Sequence, residues 1–150
     1  MTTKLAIESF LVNKVLAVVG VSRSEKKFSY ILYRELKAKG YQVFAVNPNT
    51  ATVGGDPCYK SITSLPQPVD GVVIVVPPSQ TKKVIEDAVA AGIKHIWIQQ
   101  GAESEDVIKY CQRDGIDVIH HQCILMFAEP TGFPHNVHRC IWRILAKIPK

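Results

Sequence analysis

The stretch Val15-Leu-Ala-Val-Val-Gly20-Val-Ser-Arg-Ser-Glu-Lys-Lys-Phe-Ser29 constrains the fold more than any other part of the chain. A continuous apolar run ends at a glycine, passes through small and basic residues, and then opens an amphipathic helix. The run is short and wholly apolar, so it reads as a strand buried on both faces, as parallel strands are. A glycine at its end permits close backbone approach, and the N–H groups that start the next helix face an anion. The turn is therefore expected to hold phosphate. A dinucleotide turn would carry G-x-G-x-x-G, with an acidic residue closing the second strand for a ribose hydroxyl. This turn has Gly20 alone, and Asn47-Pro48 stands after the second strand. The pattern points to a phosphorylated nucleotide other than NAD.

Helical and strand patterns alternate along the rest of the chain. A leading helix is expected over residues 3–13 and the first strand over 15–19. The next helix should run from about Lys26 to Lys39, with Phe28, Ile31, Leu32 and Leu36 on one face and Gly40 as its stop. Further strands are expected at 41–46, 71–76, 93–98 and 116–119. Residues 47–68 read as irregular, with a brief extended piece near 57–59. Ser79 and Ser104 are placed as N-caps of two helices closed by Gly92 and Gly115. After an irregular passage over 120–134, a last helix carries Val137, Ile141, Ile144, Leu145 and Ile148 on one side. This alternation predicts a Rossmann-like, doubly wound α/β fold, with a mainly parallel five-stranded sheet, helices on both faces and right-handed crossovers. Its 150 residues are expected to form a single domain, 1–150.

No run approaches the roughly 20 apolar residues of a membrane span. The N-terminus lacks a signal-peptide layout, so a cytoplasmic chain without a membrane partner is expected. A net charge of +5 asks for an anionic partner. The basic residues Lys26, Lys27, Lys82, Lys83, Arg139, Arg143 and Lys147 are dispersed, without the interleaved aromatics of a nucleic-acid reader. A small phosphate-rich ligand accounts for the charge, and no nucleic acid is expected. Cys58, Cys111, Cys123 and Cys140 lack the C-x-x-C spacing of a zinc site and read as free thiols. Cys111 and Cys140 fall on helical patterns as core residues, whereas Cys58 and Cys123 fall in loops and are expected to be exposed.

Ligands of open α/β sheets bind beyond the carboxyl ends of the strands, where the strand order reverses. The segments leaving those ends are residues 20–22, 47–50, 77–80, 99–103 and 120–123. Gly20 is expected beside phosphate, so that Gly20→Val removes binding and leaves the fold largely intact. Ser22 and Ser29 either donate to phosphate oxygens or satisfy their own turn. Arg23, Lys26 and Lys27 oppose the macrodipole at a helix start unless an anion sits there. Pro77-Pro78 either ends a strand or walls off a ring or a thin ligand arm. Gln99 and Gln100 offer uncharged amides for hydrogen bonds. Adjacent His120 and His121 on a regular strand point to opposite faces, and His135 with His138 lacks a third ligand at matching spacing. Neither a metal site nor a catalytic residue is assigned.

Val19-Gly20-Val-Ser22 with Lys27-Phe-Ser29-Tyr30, then Val46-Asn-Pro48, Val76-Pro-Pro78, Ile98-Gln-Gln100-Gly101 and Gln122-Cys123, resembles the small stand-alone CoA-binding proteins. These are similar to the CoA-binding domain of the succinyl-CoA synthetase α subunit. The resemblance covers about residues 10–128 and leaves 129–150 as a C-terminal helical extension, a candidate face for self-association. It implies that CoA is the ligand. Gly20, Val21, Ser22, Arg23, Lys27 and Ser29 would meet the phosphates, Asn47 and Pro48 the nucleotide side, and Val76, Pro77, Pro78, Ile98, Gln99 and Gln100 the remaining cleft. A lysine that the synthetase places after its proline maps near Thr50 here, and the synthetase's phosphohistidine belongs to a domain beyond the matched region. The reading is non-catalytic binding of CoA or an acyl-CoA, as a sensor or carrier. Two alternatives stay open: an NAD(P)-binding redox enzyme or sensor, and an acyl-CoA-processing enzyme or ligase subunit that needs a partner chain. In the last case Cys123 or His121 would stand near a thioester.

Overall fold

The structure, a computed structural model, describes residues 3–128. Its elements in chain order are α1 (Lys4–Leu11), β1 (Val15–Val19), α2 (Phe28–Ala38), β2 (Gln42–Val46), β3 (Thr52–Val53), β4 (Asp56–Tyr59), β5 (Gly71–Ile74), α3 (Pro78–Ala90), β6 (His95–Gln99), α4 (Glu105–Arg113) and β7 (Val118–Gln122), with 3-10 turns at Ile62–Ser64 and Ile124–Met126. The expected last helix, Cys140, His135 and His138 lie outside the described residues.

The strands form one sheet in the order β3-β4-β2-β1-β5-β6-β7. Every pairing is parallel except the antiparallel pair β3–β4. The Rossmann-like fold holds, but the sheet has seven strands and is mixed, not five-stranded. Both extra strands come from the stretch read as irregular. Gly54 and Gly55, at φ +57° and +84°, return the two-residue β3 onto β4 in a tight hairpin. The extended piece expected near 57–59 is β4, whose start is obscured by Asp56 and Pro57, which strands disfavour; β3 escapes a periodicity reading because two residues are too short to alternate.

Alternate residues of the central strands enter opposite cores. Leu16, Val18, Val73 and Trp97 pack with Phe10 of α1 and Leu32, Tyr33 and Leu36 of α2. Ala17, Val19, Val72, Ile74, Ile96 and Ile98 pack with Ile85 and Ala88 of α3 and Val107 and Cys111 of α4. Burial on both faces is why these strands read as unbroken apolar runs. Trp97 is fully buried, with its indole N–H donating to the Gln122 carbonyl at 3.0 Å and the Phe10 ring set edge-on at 5.3 Å.

Local expectations are corrected where the hairpin intrudes. The buried face of α2 is Tyr30, Leu32, Tyr33 and Leu36, while Phe28 and Ile31 are only half-buried. The two tyrosines turn inward because they cover the hairpin: the Tyr33 hydroxyl donates to Asp56 at 2.9 Å, and Tyr30 lies against Gly54. Helix α3 starts at Pro78 with extended Pro77 before it, so no Ser79 cap forms; proline at the first helical position supplies a preset φ. Ser104 does cap α4, accepting from the Val107 N–H at 3.2 Å. Cys58 and Cys123 are buried rather than exposed. Cys111 is buried as expected, and burial pushes its thiol up to about 11, with Asp114 adding to the shift.

Candidate functional site: the carboxyl rim of the sheet

Strand order reverses between β1 and β5, which places Gly20 beside Val75 and Val76. Gly20 stands at φ +106°, and its N–H donates to the Val46 carbonyl at 2.8 Å. A Cβ built on it would lie 2.9 Å from both the Val75 carbonyl carbon and Val76 Cγ1. This corrects the expectation for Gly20→Val. A side chain here runs into the exit of β5 whether or not a ligand is bound, so the fold itself is at stake.

Beyond Gly20 the turn is braced by its own hydroxyls. The Ser22 N–H donates to Ser29 Oγ at 3.0 Å, and the Ser24 N–H donates to Ser22 Oγ at 3.0 Å. Each hydroxyl oxygen is used as an acceptor, and each O–H hydrogen can still serve a ligand. Arg23, Lys26 and Lys27 are exposed, and Lys27 is the residue that opens α2.

Asn47 ties the second strand to this turn. Its Nδ2 donates to the Val21 carbonyl at 2.8 Å, its Oδ1 accepts from the Asn49 N–H at 2.9 Å, and its own N–H donates to the Tyr59 carbonyl at 2.8 Å. Pro48 beside it is exposed.

On the other side of the crossing, Pro77 and Pro78 are exposed at the start of α3. Thr81, fully buried one turn later, donates its hydroxyl to the Ala102 carbonyl at 2.6 Å and so joins α3 to the loop after β6. Nothing in periodicity marks Thr81, since a buried threonine on a helix looks like any polar position until its partner is seen.

The residues expected to bind thus divide in two. Ser22, Arg23, Lys27, Ser29, Asn47, Pro48, Pro77, Pro78 and Gln100 are exposed or half-buried along the rim, whereas Val21, Val76, Ile98 and Gln99 are buried. The Gln99 Oε1 accepts from the Ile124 N–H at 3.1 Å. Its amide lies against Cys123, whose thiol is pushed up by burial, an effect opposed by Gln99 and the Leu125 and Met126 N–H groups.

The histidine pair departs from strand alternation. Trp97 of β6 aligns with Ile119 of β7 and Gln99 with Gln122, so β7 carries one extra residue here. His121 takes up the bulge at φ +59°. The expected divergence of the two rings is therefore corrected: the Nδ1 atoms of His120 and His121 approach to 2.7 Å. Glu103, which sequence reading did not single out, places Oε1 3.9 Å from His121 Nε2.

Electrostatically the helix starts differ. Neither α2 nor α3 has a side-chain cap or an acidic residue in its first turn. Helix α4 is capped by Ser104 and carries Glu105 and Asp106. The two helices that leave β1 and β5 thus keep their positive ends uncompensated beside the crossing. One groove of about 630 Å³ lies between α1, α4 and the opening residues of β6 and β7, and another of about 560 Å³ lies between α3 and α4, with Pro78 in its lining. Topology and donor chemistry mark the rim.

No helix among the described residues is long and apolar enough to cross a membrane. Residues 14–129 match the CoA binding domain family. Acetate–CoA ligase (ADP-forming) I of Archaeoglobus fulgidus is 28% identical over 130 residues, which are 80% of this chain and 19% of that protein. The alpha subunit of acetate–CoA ligase (ADP-forming) II of Pyrococcus furiosus is 27% identical over 129 residues, 79% of this chain and 28% of the subunit. The solved structure of a conserved hypothetical protein from Pyrococcus furiosus matches with a TM-score of 0.70 at 38% identity, covering 75% of this chain and 97% of that one. The chain therefore spans less than a third of either ligase and nearly all of the small protein. On the family match, the fold and the glycine turn at the crossing, this chain belongs to the CoA-binding domain family and is related to the ADP-forming acetate–CoA ligases.

Proposed function

We propose that this chain binds CoA or an acyl-CoA along the carboxyl rim and catalyses no turnover by itself. The carrying observation is the pair of helix starts, α2 and α3, that flank the β1–β5 crossing without caps or acids. That arrangement favours an anion of high charge, which a diphosphate supplies. In this reading the backbone of Gly20 to Ser22, the Ser29 hydroxyl, Arg23 and Lys27 hold the phosphates. Pro48 and Asn47 border the nucleotide. Val76 to Pro78 and Ile98 to Gln100 border the pantetheine arm, with the buried members contributing backbone only.

NAD fits less well, because Asn47 stands where a ribose-binding acid is needed and its amide is spent on Val21. A second reading, a CoA-holding part of a ligase completed by other domains or chains, is favoured by the ligase relatives, of which this chain matches only a fraction. Parallel calorimetric titrations with CoA, NAD and NADP test the binding reading, with CoA expected to bind tightest. Equal or tighter NAD binding overturns it. Incubation with acetyl- or succinyl-CoA should release no free CoA from the chain alone, and steady release overturns the non-catalytic part.

A further inference from the structure

We propose that His121 meets the thiol end of the bound ligand and takes its proton, with His120 fixing its tautomer and Glu103 stabilising its charged form. The inference rests on the CoA-binding reading above. Its first support is backbone geometry: His121 is the one non-glycine residue with positive φ among those described, at +59°. Such a conformation is uncommon outside glycine, asparagine, aspartate and histidine, and it is set here by the extra residue of β7. It brings the two Nδ1 atoms to 2.7 Å, a distance at which one must donate to the other.

Burial first, and then His121, disfavours the charged form of His120, and at this separation the neutral His120 Nδ1 can accept from His121 Nδ1–H. When His121 Nδ1–H donates to His120, the lone pair of His121 stands on Nε2, on a side chain that is 59% exposed. Behind it the Glu103 side chain is only 11% exposed, with Oε1 accepting from the Gly101 N–H at 3.1 Å and lying 3.9 Å from Nε2. Glu103 Oε2 is buried and accepts no hydrogen bond. A buried carboxylate in that state favours a cation beside it. Cys123, two residues on, is buried in the core and does not face this group from the rim.

Position supports the assignment. With phosphates at β1, an arm crossing β5 and β6 reaches β7 after three interstrand steps, about 14 Å. His121 Nε2 would take the thiol proton: the S–H bond breaks, an N–H bond forms, and the electron pair stays on sulfur. The resulting imidazolium is flanked by His120 and Glu103. The base, its orienter and the reacting proton follow the logic of an activated nucleophile, with the nucleophile on the ligand.

Ultraviolet thiolate absorbance across a pH series, taken as the difference between complexes with CoA and with desulfo-CoA, tests this at saturating ligand. The bound thiol should titrate about one unit below free CoA, a roughly tenfold larger thiolate fraction near neutrality. His121→Asn, which suits a positive φ, should return it to the free value. Glu103→Gln should lessen the shift, and it stands in if the first variant fails to fold. A wild-type complex that titrates like free CoA overturns the inference alone, as does a folded His121→Asn that keeps the shift. Calorimetric absence of CoA binding removes the underlying reading as well.

Discussion

Asn47 donates its side-chain amide to the Val21 carbonyl at 2.8 Å, stapling the end of β2 to the phosphate turn that follows β1. An aspartate has no hydrogen to give, and its carboxylate would face a carbonyl oxygen. Asn47→Asp should therefore cost about 1–3 kcal/mol of stability in urea unfolding. It should weaken CoA and gain no NAD affinity, although it restores the acidic residue of a dinucleotide site. Unchanged stability would show that the staple is dispensable.

Gly20→Val should fail as a fold before it fails as a site. Its φ of +106° and the 2.9 Å approach of a Cβ to Val75 together predict a loss of at least about 2 kcal/mol. Thermal unfolding decides: a variant with the wild-type midpoint and no CoA binding would return Gly20 to a purely ligand-facing role.

Lys27 is exposed and opens an uncapped helix, so its removal should leave the fold alone. Lys27→Ala should weaken CoA by about 1 kcal/mol, with the loss shrinking as salt rises, because an exposed charge contact is screened. A loss that salt does not change would point to packing by the lysine stem.

Asp56 anchors the hairpin to α2, accepting from Lys37 Nζ at 2.7 Å and from the Tyr33 hydroxyl at 2.9 Å. These two partners, Lys37 first, hold its carboxyl below the usual carboxylate range. A carboxyl lowered in the folded state stabilises fully above its unfolded pKa, and that stabilisation fades as pH falls through the folded value. Asp56→Asn should cost about 1 kcal/mol near pH 7, where the bonds are partly solvent-screened, and progressively less in acid. Urea midpoints of both proteins across the acid range check this, and a gap that widens in acid would contradict it.

Much of the architecture was legible because it rests on local physics. Val15 to Val19 is apolar throughout since both its faces are buried, and a run of that kind ending at a glycine has few other uses. Gly20, Asn47 and the proline pair sit at strand ends, where chain order alone brings them to one rim. Ser104 announced its cap because the bond it makes is three residues away.

What only the tertiary structure decided are relationships across long separations in the chain. The hairpin of β3 and β4 is secured by Tyr33 and Lys37 from α2, a partnership that no pattern within residues 52–59 carries. Gly20 answers to Val75, and Gln99 turns inward to satisfy the Ile124 N–H, a demand invisible at either position alone. His120 and His121 meet because β7 carries a bulge against β6, a matter of pairing register. Periodicity records which face a residue occupies; which partner waits there is set by how distant segments pack, and that determines whether a polar side chain serves the fold or a ligand.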